Sequence, residues 1–196
     1  MRLFVATDIH GSAYWAERIV EEFKFTRCDT LILLGDVYNH GPRNPFPRDY
    51  APMKVAELFN EISDKVIAVK GNCDSEVDEM ISEFPFVKEK VVEYNGRRFY
   101  FTHGHVHNKD NVPPDLTKDD MLFYGHFHKN EVADVDGVIC VNVSSASLPK
   151  DRPTYCIVDD GDLEIYYLDE KDYDGSAKML GFITFSEDGK SKFRGV

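Results

Sequence analysis

The chain opens on a short apolar run, Leu3 to Thr7, that ends in the polar turn Asp8-Ile9-His10-Gly11. A run of that length, bounded by turn residues, predicts a buried strand. Ser12 is placed to cap a following helix, with Trp15, Ile19, Val20 and Phe23 along one face. The same grammar repeats. Thr30 to Leu34 predicts a second strand, ending at Gly35-Asp36. After a loop rich in Pro and Gly, Pro52 opens a helix carrying Val55, Phe59 and Ile62. Val66 to Val69 predicts a third strand, ending at Gly71-Asn72-Cys73-Asp74. Ser75-Glu76-Val77-Asp78 then has the form of a capping box before a short helix.

Beyond that helix the pattern changes. Val91 to Tyr94 and Arg97 to Thr102 flank Asn95-Gly96, a dipeptide that favours a tight hairpin. Met121 to Tyr124 predicts a strand. Asp136-Gly137 joins Val132–Val135 to Val138–Val143, and Asp160-Gly161 joins Tyr155–Val158 to Leu163–Leu168. Asp188-Gly189 joins Phe182–Phe185 to Ser191–Phe193. The first half reads as α/β and the second as mostly antiparallel β. A sandwich of two sheets with helices on its outer faces accommodates both. No Gly-, Ser- or Pro-rich linker divides the chain, so a single domain over residues 1–196 is expected. The stretch from about 169 to 196 is expected as a peripheral extension.

Composition narrows the class. Of the 196 residues, 42% are apolar and 30% charged, as in globular proteins and unlike disordered chains. No apolar run approaches the roughly 20 residues of a membrane helix. The N-terminal run, broken by Asp8, does not have the form of a signal peptide. The net charge of −12 repels polyanions, so stable nucleic-acid binding is not expected. Cys28, Cys73, Cys140 and Cys156 form no C-x-x-C pair. Reduced thiols and a cytoplasmic location follow as the expectation.

The polar residues at the predicted strand ends carry the chemistry. Asp8 and His10 follow the first strand, Asp36 the second and Asn72 the third. His103 follows Arg97–Thr102, and His126 and His128 follow Met121–Tyr124. Loops at one end of a sheet converge in space, and open α/β sheets build their sites there. Residues two apart in extended chain point the same way, so Asp8 pairs with His10 and His126 with His128. Carboxylates, imidazoles and one amide oxygen suit Mn²⁺, Fe, Zn²⁺, Co²⁺ or Ni²⁺, whereas Ca²⁺ would require oxygens alone. Seven donors exceed the four of one tetrahedral ion and suffice for two ions sharing a carboxylate.

Asp8-x-His10, Gly35-Asp36, Gly71-Asn72-x-Asp74, His103-Gly104 and Gly125-His126-x-His128 together resemble the signature of the calcineurin-like metallophosphoesterases, over residues 7 to 128. The stretches from Gly35 to Asn44 and from Gly71 to Asp78 resemble the bacterial YfcE-type phosphodiesterases within that superfamily. The resemblance implies a four-layer αββα sandwich and a metal-dependent phosphodiesterase acting on small phosphoesters, with two divalent ions, manganese first among them. By motif, Asp8, His10 and His128 would hold one ion. Asn72, His103 and His126 would hold the other, Asp36 would bridge, and a bridging hydroxide would attack phosphorus.

Two positions depart from the superfamily pattern. Cys73 stands where most members carry a histidine that helps to protonate the leaving group, which leaves Asp74, His105, Cys73 and a metal-bound water as candidates for that role. The YfcE-type proteins are similar to this chain in having a cysteine there. Asn142-Val143-Ser144-Ser145 stands where relatives tend to carry Asn-Pro-Gly-Ser. Asn39, His40 and Arg43, in the loop after Asp36, are candidates for substrate binding. Tyr38 and Phe127 are expected to wall the pocket and His107 to be solvated. Competing activities are a phosphomonoesterase, a cyclic-nucleotide phosphodiesterase or a protein phosphatase of the same superfamily. The reading from another class is a non-catalytic scaffold, which would tolerate losses among the ligand positions; none is lost here. Apolar strands near the C-terminus offer a route to homo-oligomers.

Overall fold

Three parallel strands, β1 (Arg2–Ala6), β2 (Thr30–Leu33) and β3 (Val66–Val69), are joined by the helices α1 (Ala13–Thr26) and α2 (Pro52–Asn60) in this computed structural model. The structure describes residues 1–172, 175–185 and 191–195. Ser12 accepts a hydrogen bond from the Trp15 N–H and caps α1, and Pro52 occupies the first turn of α2. A short strand that no periodicity announces, β4 (Phe86–Val87), extends the sheet beyond β3. On the other side, β10 (Thr154–Asp159) pairs antiparallel with β1. It is followed outward by β11 (Asp162–Lys171), β12 (Ala177–Phe185) and β13 (Ser191–Gly195). The smaller sheet has the order β5 (Lys90–Tyr94), β6 (Arg97–Phe101), β7 (Met121–Tyr124), β9 (Val138–Asn142), β8 (Glu131–Val135).

Side-chain alternation assigns every strand face. Leu3 and Val5 point between the sheets with Ile32, Val69, Cys156 and Val158. There they meet Phe99, Phe101, Met121, Phe123, Ile139 and Val141 of the smaller sheet. Phe4, Ala6, Leu31, Leu33 and Ala68 point the other way, against Ile19, Val20 and Phe23 of α1 and Val55 and Phe59 of α2. Burying each large side chain is worth about 1.5–3 kcal/mol, so a one-residue slip in register would forfeit much of both layers. This is the expected α/β architecture of two mixed sheets.

The layer over the outer face of the smaller sheet is a loop, residues 102–120. Val112 and Leu116 of that loop pack on Tyr100, Leu122, Tyr124, Val138 and Cys140. Asp120 fastens its end, accepting hydrogen bonds from the N–H groups of Thr117 and Arg98, both at 2.8 Å, and an ion pair from Arg98 at 2.7 Å. The described residues from 169 onward belong chiefly to β11, β12 and β13 at the edge of the larger sheet. β11 runs to Lys171, where Lys171 pairs with buried Glu22 of α1 at 2.6 Å, and Ile183 of β12 reaches the inter-sheet core. β12 pairs with β13, and the Asp188-Gly189 turn expected between them lies outside the described residues. α3 (Glu76–Met80) begins with the expected capping box, its Ser75 N–H donating to Asp78 at 2.7 Å. No described helix is long and apolar enough to cross a membrane.

Candidate metal centre and active site

The ends of β1, β2, β3, β6 and β7 bring Asp8, His10, Asp36, Asn72, His103, His126 and His128 to one edge of the sandwich. Main-chain bonds lock the turns together: Asp8 N–H to Gly35 O at 3.1 Å, His10 N–H to Asp36 O at 2.9 Å and Gly125 N–H to His103 O at 2.8 Å. Five of the seven residues sit in left-handed backbone, with φ of 53° at Asp8, 51° at His10, 52° at Asp36, 66° at His126 and 57° at His128. Each such non-glycine residue costs about 1–2 kcal/mol, so the surrounding bonds must hold it there. Gly125, after β7, packs directly against Thr7 and Asp8 after β1. A Cβ on it would lie 2.1 Å from Thr7 Oγ1 and 2.4 Å from Asp8 Oδ2.

The imidazoles are oriented by backbone carbonyls. His10 Nδ1 donates to Asn39 O at 2.7 Å, His103 Nδ1 to Leu34 O at 2.8 Å and His128 Nδ1 to Leu148 O at 2.8 Å. A carbonyl only accepts, so in each ring the proton is on Nδ1 and Nε2 is left to present a lone pair inward. These inward atoms crowd other acceptors. His10 Nε2 lies 3.1 Å from His128 Nε2, His103 Nε2 lies 3.0 Å from Asn72 Oδ1, and His128 Nε2 lies 3.2 Å from Asp8 Oδ1. Asp36 reaches both sides: its Oδ1 is 3.5 Å from His103 Nε2 and its Oδ2 is 3.9 Å from His10 Nε2. Asp8 Oδ2 is occupied by the Thr7 hydroxyl and the His126 N–H, whereas Asp8 Oδ1 is buried with no hydrogen-bond donor.

Acceptors packed against acceptors need a cation or protons between them. The protonation balance bears this out. Burial lowers the affinity of His103 for a proton, but hydrogen bonding and charge from Asp36, with the charge of Asp8, outweigh it and lift the group to about 9. His10 is raised against its burial by Asp8. Burial pushes the Asp8 carboxyl up, but the facing imidazoles of His10 at 3.6 Å and His128 at 3.2 Å, with the charge of His103, hold it well below its ordinary range. Asp36 is lowered in the same way by His103. His126 is shifted down by burial and by His103, and therefore stays a neutral donor. Asp8, His10 and His128 form one group compact enough to ligate an ion; Asp8, Asp36 and His103 form a second. The donor set fits divalent cations bound by nitrogen and oxygen, with the bonds to backbone carbonyls already fixing three of the rings.

A supporting loop follows β9. Ser145 Oγ donates to Asp8 O at 2.7 Å and Ser147 Oγ donates to the same carbonyl at 3.1 Å. Leu148 orients His128, and Asn142 Nδ2 donates to Gly125 O at 2.8 Å. Asn142 at the end of β9 and the loop after it thus fix Asp8, Gly125 and His128 at once, through the segment Asn142-Val143-Ser144-Ser145 and the residues to Leu148.

The edge opens into a cleft of about 620 Å³ lined by Asp36, Asn39, Arg43, Asn44, Asn72, Cys73, His126, Phe127, His128 and Lys150, among others. Residues 1–162 match the family model of the calcineurin-like phosphoesterase superfamily domain. The chain belongs to the calcineurin-like phosphoesterase superfamily. It is 42% identical over 174 residues to phosphodiesterase YfcE of Escherichia coli, covering 87% of this chain and 94% of that protein. The solved structure of YfcE, described as a phosphoesterase from E. coli, superposes with a TM-score of 0.83 at 41% identity, over 90% of this chain and 96% of that one. Vps29 from Entamoeba histolytica, solved in complex with Zn²⁺, shares the fold at 19% identity, with a TM-score of 0.54 over 100% of this chain and 98% of that one.

For a member of this superfamily, the secondary site positions hold several departures from expectation. Asn39, Arg43 and Phe127 line the cleft. His40 does not; its ring lies 4.4 Å from that of Phe46, and Nδ1 faces the Tyr50 hydroxyl at 3.4 Å. Tyr38 is buried with its hydroxyl on Ser82 and is no pocket wall. His107 is only partly exposed, bonded to Asn111 O and 3.7 Å from Glu89. Asp74 is buried and binds the N–H groups of Asp36 at 2.8 Å, Val37 at 2.9 Å and Gly71 at 2.7 Å. Burial and the Asp36 charge push it up to about 6. Its oxygens are committed to shaping the Asp36 and Asn72 turns. His105 lies beside the centre, its ring 5.4 Å from His103, but lines a separate cleft with Lys70, Lys88 and Thr102. Cys73 alone of the three expected proton donors lines the main cleft. Burial and then Asp36 push its thiol up to about 12, so it stays protonated. Asn44 and Lys150 line the cleft without having been singled out from sequence. Lys150 had no motif to mark it, since it follows β9 in the chain and joins the site only through its N–H bond to His128 O at 2.7 Å.

Proposed function

We propose that the chain is a metal-dependent phosphodiesterase with a dinuclear centre. One observation carries this reading: three imidazoles, each with Nδ1 spent on a backbone carbonyl, converge through Nε2 on two carboxylates, and one carboxylate oxygen is buried without a donor. Such an arrangement is repulsive until cations or protons are bound, and two ions satisfy all of these lone pairs together. Asp8, His10 and His128 would hold one ion, Asn72, His103 and His126 the other, and Asp36 would serve both.

Divalent ions bound there supply positive charge to the phosphoryl oxygens and acidify water. The chain's own groups do the positioning. Asp36 fixes the spacing of the two ligand sets. Asp74 holds the backbone of both Asp36 and Gly71, and so acts as a positioning residue and not as an acid. Cys73 keeps a neutral S–H at the cleft wall, where it can donate weakly to an ester oxygen. The two aspartates leave about +2 of the roughly +4 charge uncancelled, which suits an anionic phosphodiester in a protein of net charge −12. Manganese is the ion we favour, on the mixed nitrogen and oxygen donors. The free thiols of all four cysteines support a cytoplasmic setting.

The test is hydrolysis of bis(para-nitrophenyl) phosphate after metal depletion and after return of Mn²⁺, with metal content measured in parallel. Activity should vanish with the metal and return as two ions bind per chain. Undiminished turnover in verified metal-free protein would falsify the reading.

A further inference from the structure

The cleft contains two cations that the reading above leaves without a task. Arg43 and Lys150 both line it. They reach it from different elements. Arg43 belongs to the loop after β2, whose Gly41 sits so close to Cys73 that a Cβ there would lie 3.0 Å from its sulfur. Lys150 follows β9 and is anchored by its N–H on His128 O at 2.7 Å. One cation therefore stands on the Cys73 flank of the centre and the other on the His128 flank.

Neither side chain forms an ion pair or a hydrogen bond among the described residues. Nearby cations do: Lys129 pairs with Glu131 at 2.8 Å, and Arg152 pairs with Asp169 and Glu170, both at 2.6 Å. In a chain with 35 acidic residues, leaving these two cations without carboxylate partners keeps their charge directed into the cleft. The cleft, at about 620 Å³, is also far larger than a phosphoryl group requires, so an ester arm fits beside the centre.

We propose that Arg43 and Lys150 form an anion subsite for one ester arm, so that the preferred substrates are phosphodiesters whose arm ends in a second anionic group, a carboxylate or a phosphate. The inference rests on the phosphodiesterase reading. The guanidinium forks onto either anion through paired N–H donors, and the ammonium adds a point charge from the other flank.

The experiment compares kcat/KM for para-nitrophenyl diesters that differ only in the second arm: phenyl, para-carboxyphenyl, phosphoethyl and choline. Wild-type protein should favour the carboxylate and phosphate arms over phenyl by about tenfold, the equivalent of about 1.4 kcal/mol, and chiefly in KM. The choline arm should be the poorest. The preference should shrink as salt is raised, a readout that needs no variant. Lys150→Met and Arg43→Gln should each reduce the ratio, and the double variant should bring it to one with metal content retained. The larger response, to carboxylate or to phosphate, identifies which anion the subsite takes. Equal turnover of all arms in the wild type, or a preference that survives the double variant, overturns this inference alone. Absence of turnover on every arm overturns the phosphodiesterase reading and this inference with it.

Discussion

Left-handed backbone at non-glycine residues clusters at the two opposite ends of the sandwich, and the two sets have different causes. At one end Asn95, Asp136 and Asp160 have φ of 51°, 52° and 47°, each followed by a glycine at 76° to 98°. These are hairpin turns whose conformation the Asn-Gly and Asp-Gly pairs favour by themselves. At the other end Asp8, His10, Asp36, His126 and His128 adopt the same conformation. His10 is followed by Gly11 but His128 by Lys129, so no common local rule explains them. Their conformation is imposed by hydrogen bonds from distant segments: Gly35 O on the Asp8 N–H, Asp8 Oδ2 on the His126 N–H, Ser145 on the Asp8 carbonyl. The hairpin end shows local chemistry satisfied locally. The site end shows strain accepted so that side chains unrelated in sequence can face one another.

This contrast is best broken by Asp36→Asn. The residue faces both ligand sets through its two oxygens, so its loss should lower turnover by on the order of 10³-fold and leave fewer than two ions per chain. Elemental analysis beside the kinetic assay checks it; two ions and ordinary turnover would remove Asp36 from the bridging position. Gly125→Ala comes next. A Cβ would collide with Thr7 and Asp8, which have no free space to move into, so a stability loss of about 1–3 kcal/mol and loss of metal binding should appear together in thermal melts with and without Mn²⁺.

At the opposite end, Asp120→Asn should cost about 1.5–3 kcal/mol at neutral pH, because a carboxylate accepting from Thr117 and Arg98 is replaced by an amide. Burial raises Asp120, but the N–H groups of Thr117 and Arg98 outweigh it and hold it below its ordinary value. Its contribution is therefore present above the unfolded value near 4 and is lost as pH falls through the lower folded value. The wild-type and variant stability curves should converge in acid, with metal binding at pH 7 unaffected. Ser145→Ala removes a bond that holds the Asp8 carbonyl, and should weaken one of two bound ions by about tenfold and leave the other unchanged. A biphasic Mn²⁺ titration becoming more widely separated is the readout. Smallest is Gly96→Ala, where a Cβ meets nothing and only the left-handed φ of 76° is penalised, for about 1 kcal/mol and no change in metal affinity.

Most strands could be read along the chain because alternation is a local property. Leu3 and Val5 face one layer and Phe4 and Ala6 the other whatever lies there, and Asn95-Gly96 turns without help. The seven candidate ligands were legible for the same reason, as polar residues ending apolar runs. Tertiary structure decided what the local pattern does not encode. β4 is two residues long, and its pairing with β3 gives it a place in the sheet. The outer layer of the smaller sheet is a loop because Pro113 and Pro114 interrupt the i, i+4 spacing of Val112 and Leu116, which still cover the sheet when Asp120 pins the end. Asp74 and Asp8 are both aspartates at strand ends. Only the surrounding donors separate them: three backbone N–H groups commit Asp74 to holding turns, and their absence from Asp8 Oδ1 leaves that oxygen for a cation. Sequence supplied residues of the right chemistry at the right strand ends. Which lone pairs would meet depended on bonds between positions more than a hundred residues apart, and no periodicity along the chain reports those.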